Sequence, residues 1–311
     1  MTRLYRLRAA ALLLALLLSP PLQAEARRWG ADYLSNATVV DQNGRTLRFY
    51  DDVIKGKTVV ISFIFTSCRS ICPLVTARLA QLERQLGAAA GRDVFFVSLS
   101  IDPATDTPER LKEFSRNFDP SPSWAFLTGD ESVVKTIGYR LGERTEQLAD
   151  HRNQILLYND RTSEWQRSSA FADLDALALQ IFAMDPQIRA AKAPSADIFG
   201  GGDGPVRPEF PGQALFVKFC SACHTVGAGR RVGPDLRDVN VRRPRDWTAR
   251  YVQNPEAMRA AGDPLAQSLR VEYPHAEMPA LNLANDDVQD LLLYVDLKSS
   301  ECSANDHQAT R

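Results

Sequence analysis

Residues 57–87 read KTVVISFIFTSCRSICPLVTARLAQLERQLG, and this stretch decides the fold. It opens on an unbroken apolar run rich in β-branched and aromatic residues, the pattern of a strand buried on both faces. From Cys72 the apolar residues recur with helical period, Pro73 stands in the first turn and Gly87 follows the last. Those are start and stop signals of a helix. Cys68 and Cys72 sit where the strand gives way to the helix.

The same alternation continues outward. NATVVDQNGRTLRF (36–49) places Asn43-Gly44 between two β-rich runs, as a tight hairpin requires. DVFFVSLSIDP (93–103) reads as a second buried strand. In DTPERLKEFSRNF (106–118), Asp106 or Thr107 can cap a helix with Pro108 at its first position. Further strands are expected at SWAFLTG (123–129), QILLYND (154–160) and EWQRSSA (164–170), and helices at 131–142 and 171–185. Strands alternating with helices predict an α/β domain with a central mixed sheet. Residues 186–209 are rich in Gly and Pro without periodicity and read as a linker. Beyond them the character changes to helices and loops, ending on the apolar run DDVQDLLLYVDL (286–297).

The ends and the composition bound the setting. Residues 1–26 carry Arg3, Arg6 and Arg8, then an apolar run closed by Pro20-Pro21 and small residues. That layout is a secretory signal, too short and too broken for a membrane span. It predicts export to the periplasm, where disulfides persist. An uncleaved anchor is the alternative, and a multi-span membrane protein is not expected. A formal net charge of −1 gives no global basic field, so no nucleic-acid partner is expected.

Residues 220–224 read CSACH. C-x-x-C-H is the attachment signature of c-type haem, with Cys220 and Cys223 as the thioether positions and His224 as an axial ligand. RVGPDL (231–236) and MPAL (278–281) add to it. With them, residues 210–298 resemble the monohaem cytochrome c family. The resemblance implies an all-α domain, a proline carbonyl (Pro234) orienting His224, and Met278 as sixth ligand. Met258 and His275 are the rival ligands, and Phe216 and Tyr294 are candidates for the contact between crossing helices.

The first cysteine pair has several chemistries open to it. A C-x-x-x-C whose second cysteine opens a helix puts sulfur near the positive helix end, which favours a thiolate, and Arg69 pushes the same way. A disulfide here would close too small a loop to restrain the unfolded chain. Two thiolates one turn apart can instead cycle between dithiol and disulfide, or grip a soft metal with a third ligand. His151, before the strand at 154–160, is the only histidine of the first domain.

FTSC…ICP (65–73), SIDPATDTPERL (100–111) and Asp150-His151 before a strand, in this order, resemble the Sco/SenC copper-chaperone family. Over residues 33–185 the resemblance implies a thioredoxin-like fold and copper held by Cys68, Cys72 and His151. It also implies a part in assembling the binuclear copper centre of cytochrome oxidase. Family members usually carry Pro-Asp between the cysteines where this chain has Arg69-Ser70, and Ser after the histidine where it has Arg152.

The expected organisation is a signal peptide (1–26), a thioredoxin-like domain (27–185), a linker (186–209), a cytochrome c domain (210–300) and a tail (301–311) holding Cys302 and His307. The expected cofactors are one covalent haem c and one copper ion. The expected partners are a copper-accepting protein such as cytochrome oxidase and a respiratory electron-transfer protein. Thioredoxin-like dithiols have potentials of roughly −120 to −270 mV, and methionine ligation raises that of a haem. Electrons therefore run downhill from the thiols or Cu(I) to the haem. The alternatives to a copper-binding, electron-transfer protein are a thiol-disulfide oxidoreductase that uses Cys68 and Cys72, and a thiol peroxidase.

Overall fold

β3 (Thr58–Ile64) is buried at every position because it lies at the centre of the sheet with packed layers on both sides. In this computed structural model, residues 30–69, 71–145, 147–148, 151, 154–187, 210–274 and 276–309 are described. The signal sequence, most of the linker, Ser70, Arg152 and His275 fall outside them. β3 runs parallel to β4 (Val94–Ser100), which runs parallel to β5 (Ala125–Thr128). The hairpin of β1 (Thr38–Asp41) and β2 (Thr46–Arg48) joins β5 antiparallel, turning through Gly44 at φ 77°. On the other side β6 (Gln154–Asn159) and β7 (Glu164–Ser169) pair antiparallel. The seven strands lie in the order β2-β1-β5-β4-β3-β6-β7.

Successive side chains of a strand point to opposite faces, so β3 feeds two cores. Val60 and Ile64 join the core under α1 (Ile71–Leu86), α2 (Pro108–Arg116) and α4 (Leu174–Met184). Val59, Ile61 and Phe63 join the core under α3 (Glu131–Leu141). The first domain therefore has the expected α/β architecture, each strand and helix at its expected place. Thr107 caps α2, its hydroxyl accepting from the Arg110 amide at 3.4 Å. Asp106, the other candidate cap, has a different task described below.

The described residues of the second domain form helices joined by loops, with no strand among them. Its first helix, α5 (Pro211–Leu215), continues through Phe216–Cys220 and crosses the last, α6 (Asn285–Ala309). The crossing is so close that a Cβ on Gly212 would lie 2.0 Å from the Asp290 carbonyl oxygen, so only glycine fits. Phe216 and Tyr294 meet there with ring centroids 5.4 Å apart, as expected. α6 continues through residues 301–309 of the expected tail. Cys302 lies part-buried on it, its thiol 3.4 Å from the Val226 carbonyl, because the helix continues over the loop at Gly227.

The domains share packing. Ala222, between the haem-motif cysteines, is 1% exposed and belongs to the core of the first domain, with Cys223, Val232 and Leu281 packed against it. Helical periodicity puts Arg78 and Gln81 on the polar face of α1, where solvent is the simple expectation. The second domain covers that face instead. Arg78 is 2% exposed. It donates to the Ala170 and Ala172 carbonyls at 2.7 and 2.8 Å in the first domain and to the Lys218 carbonyl at 2.7 Å in the second.

Candidate functional site

The turn between β3 and α1 is anchored by Asp106, which is fully buried. Its carboxylate accepts from the Thr66 amide at 3.1 Å, from the Thr66 hydroxyl, and from the Ser100 hydroxyl at 2.6 Å. Burial raises its pKa against the pull of those bonds. The end of β4 thus fixes the turn two residues before Cys68. The sequence carried the signal, since Asp106 lies within SIDPATDTPERL, but pointed to a helix cap.

Cys68 and Cys72 form no disulfide in this structure. Cys68 sulfur accepts the Cys72 amide at 3.4 Å, so the N–H at the start of α1 is aimed at Cys68. That contact places a hydrogen-bond donor on the Cys68 sulfur. The expected thiolate bias does not extend to Cys72. Its hydrogen bond to Cys68, together with 1% exposure, pushes its pKa upward. The pair is therefore asymmetric. Iodoacetamide should label Cys68 before Cys72, as read by peptide mass mapping against time; equal rates would contradict the asymmetry.

His151 lies near the same end of the sheet. Its Nε2 is 3.1 Å from the Phe63 carbonyl, on β3, and its ring meets Phe65 edge-on at 6.3 Å. Its Nδ1 is 3.1 Å from Glu143 Oε2. Glu143 is pulled down to about 2: burial opposes ionisation, but the bonds from His151 and Thr145 outweigh it. The Phe63 carbonyl only accepts, so Nε2–H donates to it. Among the described residues no cluster of three His, Cys, Asp or Glu side chains stands at metal-binding spacing. To ligate a metal with the cysteines, His151 has to give up one of its two bonds. Glu143 as its partner had no motif around it in the sequence.

In the second domain His224 Nδ1 is 2.9 Å from the Pro234 carbonyl and donates to it, as expected. Nε2 is thereby the nitrogen left to face the cleft as a candidate ligand. A Cβ on Gly233 would lie 2.5 Å from the imidazole, so the glycine is what lets the ring sit there. Burial lowers the His224 pKa, which keeps the ring neutral. Cys220 and Cys223 are pushed up to about 12, by burial above all. Cys220, His224 and Met278 line one cavity of about 510 Å³, with Val239, Trp247 and Leu292 among its walls. An adjoining recess lined by Cys223, His224 and Met278 reaches Pro73 and Leu74 of the first domain. Two thiols at vinyl spacing, a neutral imidazole and a thioether around an apolar cleft fit a c-type haem. Met258, on the helix Pro255–Ala260, packs against the same Trp247, Tyr251 and Ala266 cluster as Met278. His275 lies outside the described residues.

The family model described as SCO1/SenC matches residues 26–173, and that described as Cytochrome c matches residues 211–297. The SCO1 protein homolog of Bacillus subtilis is 39% identical over 121 residues, 38% of this chain and 61% of that protein. A SCO2-like protein of Rickettsia prowazekii is 36% identical over 99 residues, 32% of this chain and 46% of that protein. The chain thus spans about half of the length of the curated relatives it matches. A crystal structure of a SCO1/SenC family lipoprotein from Bacillus anthracis superposes with TM-score 0.41 at 25% identity, over 48% of this chain and 92% of that one. The chain thus matches the SCO1/SenC family over its first domain and the cytochrome c family over its second.

Proposed function

We propose that this chain is an exported copper-binding and electron-transfer protein that assists copper-centre assembly in a respiratory oxidase. In this reading Cys68, Cys72 and His151 hold copper as cargo, and the haem domain exchanges electrons with that site or with a respiratory partner. The observation that carries it is the shared wall: the recess beside His224 and Met278 is closed by Pro73 and Leu74, the residues after Cys72. No described helix is long and apolar enough to cross a membrane.

Each group has a defined task. Cys220 and Cys223 would hold a haem covalently, His224 and Met278 would ligate its iron, and the group would supply one-electron storage at a potential raised by the thioether. Pro234 fixes the imidazole orientation. At the first site the two sulfurs suit Cu(I), and His151 completes a three-ligand set once it turns from Phe63 or Glu143.

Anaerobic Cu(I) titration of the reduced full chain tests this. We expect one copper per chain, no tight binding in Cys68→Ala, and about tenfold or more weaker binding in His151→Ala with thiol labelling retained. Equal affinity in His151→Ala and wild type would remove the three-ligand site. Because the Cys72 pKa is raised, this thiol stays protonated at neutral pH and copper must displace its proton. Apparent affinity should therefore climb steadily with pH from 6 to 9, and a flat profile would contradict the thiolate assignment. Thiol exchange is the second reading, favoured by the asymmetry of the pair. A reduced chain that binds no copper but cycles Cys68 and Cys72 to a disulfide would establish it.

A further inference from the structure

Arg69, between the two cysteines, does not point to its own domain. Its guanidinium lies 3.1 Å from Glu277 Oε1, 208 positions away and adjacent to Met278. Glu277 is 13% exposed and also faces Arg259 at 3.4 Å and Arg270 at 3.2 Å, both from its own domain. Arg259 donates in addition to the Met278 carbonyl at 3.3 Å. The carboxylate is thus the hub of a network, and Arg69 is the one member that comes from the thiol loop. Arg69 itself is 58% exposed. An exposed partner contributes little to stability, and the docking of the domains already rests on buried Arg78 and Ala222. What Arg69 does contribute is a fixed charge tying the position of the Cys68–Cys72 loop to the segment that carries Met278.

We propose that Arg69 is a positioning residue that couples the two sites: through Glu277 it makes the haem cleft sensitive to what the Cys68–Cys72 pair holds. The inference rests on the reading of Cys68 and Cys72 as a copper or redox site. Copper on the two sulfurs, or a bond between them, redraws the loop on which Arg69 sits. The change reaches Glu277 as an altered ion pair and Met278 as an altered field and backbone anchor. Coupling of this kind is reciprocal, so the oxidation state of the haem biases the affinity of the thiols for their cargo by the same factor.

The test uses the full chain with its haem attached. The haem midpoint potential is measured with the thiols reduced and metal-free, with one equivalent of Cu(I), and with Cys68 and Cys72 oxidised to the disulfide by diamide, which takes up the two electrons and two protons. Wild type should show different potentials in these states. Arg69→Ala should lose most of the difference while its copper stoichiometry, measured separately, is retained, and Arg69→Lys should recover part of it. Glu277→Gln, which removes the acceptor from the other domain, should reproduce the loss if Arg69→Ala folds poorly. Identical potentials in all states of the wild type, or the full difference in both Arg69→Ala and Glu277→Gln, would overturn the coupling. Failure of the wild type to take up copper would overturn the copper reading instead, and the comparison of dithiol with disulfide would then decide the coupling alone.

Discussion

Met278→Ala should lower the haem midpoint potential by about 0.1 V or more, within the roughly 0.8 V that axial ligands span, and should abolish the absorption of methionine-ligated ferric iron. A thioether is a weak donor that favours the ferrous state, so water or imidazole in its place favours the ferric. Three observations support the proposal of Met278 as the ligand. It lines the cleft with His224. It packs against the cluster of Trp247, Tyr251 and Ala266. Its segment is held from both sides, by Arg259 on its carbonyl and by the arginines around Glu277. A spectrum that keeps its methionine ligation in Met278→Ala would remove the assignment and leave Met258 as the ligand. Loss of the methionine signature with an unchanged potential would contradict the argument from ligand strength.

Arg78→Ala should destabilise the protein by about 2–4 kcal/mol, because one buried carbonyl and three part-buried ones lose a shared donor. It should also separate the unfolding of the two domains into distinct calorimetric transitions. The magnitude follows from what the guanidinium satisfies. Its Nε and Nη2 hold Ala170 and Ala172 of the first domain, and its Nη1 holds the Lys218 carbonyl at 2.7 Å and that of Val217 at 3.2 Å. Removing it leaves the buried Ala170 carbonyl and the part-buried carbonyls of Ala172, Val217 and Lys218 without that donor, and an unpaired buried carbonyl costs about 1–3 kcal/mol before water relaxes in. Arg78→Lys should rescue little, because a single ammonium cannot span the planar fork that the four carbonyls face. A single unfolding transition near the wild-type temperature would show that the apolar contacts at Ala222 dock the domains unaided.

Much of the local structure was legible in the sequence. The run from Thr58 to Ile64 is too uniformly apolar for anything but a buried strand, and the helical period after Cys72 is unambiguous once Pro73 and Gly87 bracket it. Asn43-Gly44 specified its hairpin through the positive φ that the turn demands. The haem motif carried its own geometry, because Cys220, Cys223 and His224 are neighbours in the chain and Gly233-Pro234 follows closely. The two cysteines of the first site were equally plain, but their inequality was not. Helix-end electrostatics suggested thiolates, whereas the burial of Cys72 and its bond to Cys68 outweigh that effect at Cys72.

What the sequence alone determined is the order of elements, the division into an α/β and an all-α domain, and the C-x-x-C-H grouping of Cys220, Cys223 and His224. These rest on interactions between residues a few positions apart, which periodicity and spacing record. Only the tertiary structure decided that Asp106 anchors the thiol turn, that Glu143 holds His151, and that the polar face of α1 is a docking surface. It alone placed Arg69 on Glu277. The residues concerned are charged and polar side chains that any solvated surface would carry. Their roles come from partners tens to hundreds of positions away, brought near by packing, and no local pattern encodes that distance.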